Sequence, residues 1–226
     1  MTQRPILYSS VRSPHFLKVS LVLHEKGVDF ERVEVDLRAK EQRTPRYLSI
    51  NPLGQVPVFE DDRGVHIDSL VIMRYLDDRY GPPRLFPADP DALGQVLDWI
   101  ELSSTAMRDV SHHLYWQLIE PPEGGVDQAR VAQLKREGMA LLERVERALE
   151  TGDGTLTGRF GAADLSVFAW LRGYGRFDLP PSWDAFPRLR SWLDRLRARP
   201  SFAASHGAVG RPFAFDGDGR ETAGPR

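Results

Sequence analysis

Cysteine is absent from all 226 residues. That absence excludes disulfides, thiolate metal sites and a cysteine nucleophile, so any thiol chemistry must draw its sulfur from a ligand. Also missing is an apolar run long enough to span a membrane. The first residues, Met1-Thr2-Gln3-Arg4-Pro5, lack the apolar core of a secretory signal, and a cytoplasmic location is expected. Lysine is scarce: Lys18, Lys26, Lys40 and Lys135 are the whole set, and every other basic residue is arginine. No one sign of charge dominates. The net charge is −2, and no basic stripe interleaves with aromatics, which leaves nucleic-acid binding without support. The hydrophobic fraction of 41% is ordinary, and the length suits one large domain or two small ones.

Read along the chain, Ile6-Leu7-Tyr8 is a short strand after Pro5. Ser13-Pro14 then opens an apolar helix that ends at Lys26-Gly27, with serine as N-cap, proline in the first turn and glycine after the end. Phe30 to Asp36 alternates as a half-buried strand, and a helical turn surrounds Tyr47-Leu48. Val56 to Phe59 and Val65 to Ile67 flank the turn Asp61-Asp62-Arg63-Gly64 and predict a hairpin. A helix over Asp68 to Tyr80 completes a β-α-β-α-β-β-α order. Gly81-Pro82-Pro83-Arg84-Leu85-Phe86-Pro87 reads as a linker. Beyond it no convincing strand is found. Helices are predicted over Asp89 to Ile119, Val126 to Leu149, Ala162 to Tyr174 and Phe186 to Arg199, followed by a loose tail rich in Gly, Asp and Pro. The expected fold is therefore α/β plus all-α: a thioredoxin-like N-terminal domain over 1–80, a linker over 81–90, a helical bundle over 91–205 and a tail over 206–226.

The most telling passage is Asn51-Pro52-Leu53-Gly54-Gln55-Val56-Pro57-Val58-Phe59, followed by Asp68-Ser69. Pro57 lies in an apolar extended run where a ladder donor is expected. Proline has no N–H, so it belongs at a sheet edge, a bulge or a tight turn, and a cis bond is one way to make that turn. Val56 would then present its own N–H and C=O to a peptide-like ligand. Asp68-Ser69 opens a helix whose free N–H groups suit a carboxylate. The two together read as a site for a small peptide acid.

In order and spacing, Ser13-Pro14, Asn51-Pro52, Gly54-Gln55-Val56-Pro57, Asp68-Ser69, Leu85-Phe86-Pro87 and Ala163-Asp164 resemble the glutathione transferase family over roughly residues 5 to 205. The resemblance implies a dimer and glutathione as co-substrate without a metal. Glutathione would lie along the edge before Pro57, its sulfur attacking a small hydrophobic electrophile held by the helical domain. It implies that Val56 pairs with the cysteinyl part and that Asp68 and Ser69 hold the γ-glutamyl end. Gln55 stands where a polar contact is common, and Lys40 or Arg43 would meet the glycine carboxylate. Ser13 matches the serine whose hydroxyl points at the thiol; Ser10 and Tyr8 remain rivals. Gly161 departs from the family's Ser or Thr at the later helix start.

Each motif also has a plainer reading. Ser13 and Asp68-Ser69 would serve as helix caps alone. His15 reads as a second donor or a surface histidine. Asp109, His112 and His113 have the spacing of a metal pair, but no third ligand is apparent and adjacent histidines diverge. With Tyr115 and Trp116 they would line an electrophile pocket or simply pack. Asp164 reads as structural, and Trp99, Trp170 and Trp192 as core or interface. The alternative function is a non-enzymatic protein resembling stringent starvation protein A, which binds RNA polymerase; the likeness lies in the linker and in Arg199-Pro200-Ser201-Phe202.

Overall fold

Four short strands within the first sixty-odd positions make a sheet in the order β2-β1-β3-β4, and only β1 alternates buried with half-buried residues. The structure, a computed structural model, describes residues 4–151, 154–207, 214–215 and 221–222. Strand β1 (Ile6–Ser9) runs parallel to β2 (Glu31–Glu34) and antiparallel to β3 (Val58–Asp61), which pairs with β4 (Gly64–Ile67) through the predicted hairpin. Proline at 57 delays the third strand by two residues relative to the sequence expectation, because it has no ladder donor to offer. The Val56–Pro57 peptide bond is cis.

Helix α1 (Pro14–Glu25) starts at Ser13, which caps it, and buries Phe16, Leu17, Val19, Leu21, Val22 and Leu23. A short α2 (Pro45–Leu48) precedes the Asn51 turn, and α3 (Ser69–Arg79) packs beside α1. Gly54 sits at φ +61, and a Cβ there would stand 2.8 Å from the Gln42 carbonyl oxygen, so only glycine fits that turn without displacement of backbone. The Lys26 ammonium lies 2.6 Å from Asp77, both side chains wholly buried, and it also donates to the carbonyls of Tyr80 and Gly81. Asp77 in turn accepts the N–H groups of Leu85 (2.8 Å) and Phe86 (3.2 Å). The segment read from composition as a linker is thus pinned as far as Phe86.

The chain divides into two compact units, one running to Phe86 and including Pro200–Val209, the other starting at Pro87. Helix α9 (Pro200–Gly207) belongs to the first unit, where Ser205 accepts from Ser20 and Ser201 donates to Glu25, whereas the sequence expectation divides it between the helical domain, ending at 205, and the tail.

The second unit is built on helices α4 (Pro90–Leu102), α5 (Arg108–Leu118), α6 (Gln128–Ala148), α7 (Ala162–Leu171) and α8 (Pro187–Arg197). Every residue of α7 is buried, which explains its lack of a polar face. The single helix expected over Asp89 to Ile119 is interrupted by a π turn at Ser103–Met107. Its cause is local: the Ser103 hydroxyl donates to the Ile100 carbonyl (2.7 Å) and Thr105 to that of Glu101 (2.8 Å), competing with the helix ladder. Ser166 of α7 meets Ser103 at 2.9 Å, so the break is held from the core side. Most of the tail over 206–226 lies outside the described residues; within it Ala214–Phe215 pairs antiparallel with Glu221–Thr222. Among the described residues no helix is long and apolar enough to cross a membrane.

Candidate functional site

Strand register brings the sequence-predicted residues of the first unit to one end of the sheet. Tyr8 stands opposite Val58 in the antiparallel β1–β3 pair, so the exit of β1 toward Ser13 lies beside the entry of β3 from Val56-Pro57. Val58 also faces Ile67, which sets the exit of β4 into Asp68-Ser69 at the same end. β2 runs parallel to β1 and leaves there too, toward Lys40. Three strand exits, one strand entry and the N-termini of α1 and α3 converge, and such a convergence gathers N–H groups that suit an anion.

The three hydroxyls considered for the thiol differ in their commitments. Tyr8 donates to Glu60 at 3.0 Å. Its phenol is held above its ordinary pKa, first by burial and then by that carboxylate, so it stays protonated and turned toward Glu60. Ser10 is 1% exposed and donates to Glu34 at 3.3 Å. The Ser13 oxygen accepts the Phe16 N–H at 3.4 Å, and no acceptor for its hydroxyl proton is found among the described residues. Ser13 is the one hydroxyl of the three with its proton uncommitted.

Val56 makes no main-chain hydrogen bond among the described residues, and its side chain packs onto the cluster of Val35, Tyr47 and Val58. Its neighbour is fixed from behind: the Gln55 carbonyl accepts from the Tyr47 hydroxyl and from Asn51 Nδ2, each at 2.8 Å. Burial pushes the Tyr47 phenol up to about 12, keeping it a donor. The Gln55 side chain points to solvent. Of the two cations weighed, Arg43 donates to the Leu53 carbonyl at 3.3 Å, whereas the ammonium of Lys40, exposed and on a left-handed residue (φ 56), has no partner among the described residues.

Asp68 adopts φ 72 and caps α3 with one oxygen, Oδ1 accepting from Leu70 (2.8 Å) and Val71 (3.2 Å), while Oδ2 takes no donor among the described residues. Ser69 is buried, and its hydroxyl lies 3.1 Å from His15 Nδ1. Sequence reasoning gave no role in the site to Tyr47, and for His15 it had no way to find Ser69 as a partner.

In the helical unit His112 Nε2 accepts from Trp116 Nε1 at 2.8 Å, and His113 Nδ1 donates to the Asp109 carbonyl at 2.7 Å, so each ring has one nitrogen engaged within α5. Among the described residues no group of side chains has the makings of a metal site. An open depression of about 660 Å³ beside α8, lined by Trp183, Arg190 and Asp194, contains none of the predicted site residues.

Comparison with known proteins bears on this geometry. Residues 12–79 match the family described as glutathione S-transferase, N-terminal domain, and residues 107–200 match glutathione S-transferase, C-terminal domain. Glutathione S-transferase 3 of Zea mays is 32% identical, over 91% of this chain and 95% of that protein. Maleylacetoacetate isomerase of Pseudomonas aeruginosa is 30% identical, over 89% and 95%. The crystal structure of the theta class glutathione S-transferase from the citrus canker pathogen Xanthomonas axonopodis pv. citri, with glutathione bound, superposes with a TM-score of 0.78 at 29% identity, covering 91% of this chain and 97% of that one.

Proposed function

Since the chain belongs to the glutathione S-transferase family, we propose that glutathione lies across the converging strand ends and that Ser13 activates its thiol for attack on a small hydrophobic electrophile. One observation carries this reading. A peptide edge with unpaired main chain at Val56 lies at the same end of the sheet as a helix start whose serine proton is uncommitted.

Val56 N–H and C=O pair with the cysteinyl residue of the ligand, and the lock on Gln55 by Tyr47 and Asn51 holds that edge in place before the ligand arrives. The γ-glutamyl carboxylate takes the Ser69 hydroxyl and N–H at the start of α3. The γ-glutamyl ammonium takes Asp68 Oδ2, the oxygen that the cap leaves open. Lys40 meets the glycine carboxylate, and the exposed Gln55 amide adds a polar contact.

The Ser13 hydroxyl donates to sulfur and stabilises the thiolate, assisted by the positive end of α1. A free thiol has a pKa of about 8.5, and lowering it raises the thiolate fraction at neutral pH. The thiolate then forms a carbon–sulfur bond to the electrophile. Where a leaving group is present, it departs with the electron pair. The Pseudomonas relative supports a second reading that shares this first step: the thiolate adds to a carbon–carbon double bond, rotation follows, and the thiolate leaves again, giving isomerisation. The enzyme names of the relatives favour catalysis over the polymerase-binding alternative.

Titration calorimetry with glutathione, joined to turnover assays on aryl halides, isothiocyanates, hydroperoxides and a cis-enone acid, tests both readings. Binding with turnover of an aryl halide or an isothiocyanate supports transfer, hydroperoxide reduction supports only the shared thiolate activation, and isomerisation of the last alone supports the second reading. Neither binding nor turnover contradicts both. A homodimer is also proposed, through α3 and α4, supported by the exposed Val71 and Leu97 on those helices. Light scattering that returns a mass near 25.6 kDa, that of one chain, would contradict it.

A further inference from the structure

We infer that His15 is a positioning residue that forces the Ser69 hydroxyl to donate outward, and so sets the affinity for the γ-glutamyl carboxylate. The inference rests on the glutathione reading of Ser69 given above. His15 lies in the first turn of α1, two residues after Ser13, and its Nδ1 stands 3.1 Å from Ser69 Oγ at the first position of α3.

A serine hydroxyl has one proton, and a neutral imidazole has one N–H and one bare nitrogen. The contact therefore has two possible senses. If Nδ1 is bare, Ser69 donates to it and shows only lone pairs to the site, which repel a carboxylate. If Nδ1 carries the proton, His15 donates to Ser69, whose own proton is then free to point outward. An ionised carboxylate only accepts, so the second sense alone is compatible with the ligand. In that sense the histidine N–H takes a lone pair of the buried serine and leaves its proton to point outward.

The start of α3 leaves few alternatives. Asp68 has already taken the N–H groups of Leu70 and Val71 on its side chain, and its carbonyl takes that of Ile72. The Ser69 N–H is the one amide of that first turn with no acceptor among the described residues. A carboxylate docked there finds two donors, the Ser69 N–H and the Ser69 hydroxyl, and His15 governs the second. One charge-assisted hydrogen bond of this kind corresponds to about tenfold in affinity.

The test compares the full-length wild type with His15→Leu and His15→Asn, each checked for an unchanged melting temperature. Asparagine can place an amide N–H where Nδ1–H stood; leucine cannot. Dissociation constants are measured for glutathione and for the analogue that lacks only the γ-glutamyl α-carboxylate. We expect His15→Leu to weaken glutathione about tenfold and His15→Asn to recover most of that loss. The analogue should bind all three proteins equally, and kcat at saturating glutathione should change less than about twofold. An unchanged glutathione affinity in His15→Leu, an equal loss for glutathione and the analogue, or an asparagine no better than leucine would each overturn the role of His15. A wild type that binds neither ligand would overturn the glutathione reading itself, a different result from a wild type that binds glutathione beside an unaffected His15→Leu.

Discussion

The starts of α3 and α7 are both built on an aspartate that accepts main-chain N–H groups, and the two carboxylates have different surroundings. Asp68 is exposed and uses Oδ1 alone, leaving Oδ2 open at the end of the sheet where the site residues gather. Asp164 is wholly buried and both its oxygens are taken: Oδ1 by the Leu156 N–H (3.2 Å) and Trp192 Nε1 (2.9 Å), Oδ2 by the Gly161 N–H (3.1 Å). Burial pushes the Asp164 carboxyl above the usual range, and the hydrogen bonds it accepts only partly offset that push. A cap with an open oxygen is available to a ligand, and a cap with none serves the fold. Gly161, which has no side-chain acceptor, is held by Asp164 reaching back to its N–H, so the missing Ser or Thr there is compensated by half of a capping box.

Asp77 sharpens the contrast, because it is as buried as Asp164 but has a cation. Burial alone would raise its pKa; the Lys26 ammonium and the N–H groups of Leu85 and Phe86 together outweigh it and hold the carboxyl below its ordinary value. The largest effect is therefore expected from Lys26→Met, which removes the buried cation and leaves Asp77 only the more exposed Arg84 at 3.6 Å; it should cost about 3–5 kcal/mol of stability in a denaturant titration. The linked pH dependence has a definite sign. The stabilisation from Asp77 is present above 3.8, the value of an unperturbed carboxyl, and is lost as pH falls through the lower folded value. Acid titration of Lys26→Met should lack that loss.

Asp164→Ala comes next. It strands three donors, Trp192 Nε1 among them, and is expected to lower stability by about 3 kcal/mol while the protein that remains folded binds glutathione normally. A fall in the affinity of the folded fraction would erase the distinction between the two helix starts. Ser13→Ala should lower kcat by about 10- to 100-fold, or roughly 1.4–2.7 kcal/mol, with little change in the dissociation constant for glutathione. Asp68→Ala is the smallest in stability, about 1 kcal/mol for a lost cap, but it should weaken glutathione about tenfold because the ammonium loses its carboxylate. Equal effects of Asp68→Ala and Asp164→Ala on both stability and affinity would break the comparison.

What the sequence made legible was local. Ser13-Pro14, Val56-Pro57 and Asp68-Ser69 announce themselves because caps and proline turns are set by neighbouring residues, and the structure places all three at one end of the sheet. Alternation at Phe30 to Asp36 and turn residues elsewhere located the strands to within two residues. The unread features depend on partners far along the chain. His15 meets Ser69 across 54 positions, and Tyr8 is drawn to Glu60 across 52. The proposed preference for Lys40 over Arg43 rests on the Leu53 carbonyl, which takes one donor of the arginine. The π turn at Ser103 needed hydroxyl-to-carbonyl bonds that periodicity does not report, and α9 joins the first unit through Ser20 and Glu25 near the other end of the chain.

The most direct measurement is the pKa of the glutathione thiol in the complex, read from thiolate absorbance against pH in the wild type, Ser13→Ala, Ser10→Ala and Tyr8→Phe. The expected result is a bound thiol well below the free value of about 8.5 in the wild type, in Ser10→Ala and in Tyr8→Phe, and a return toward that value in Ser13→Ala alone. A thiol that is unshifted in the wild type, or a shift that survives Ser13→Ala, would contradict the assignment of sulfur to the start of the first helix.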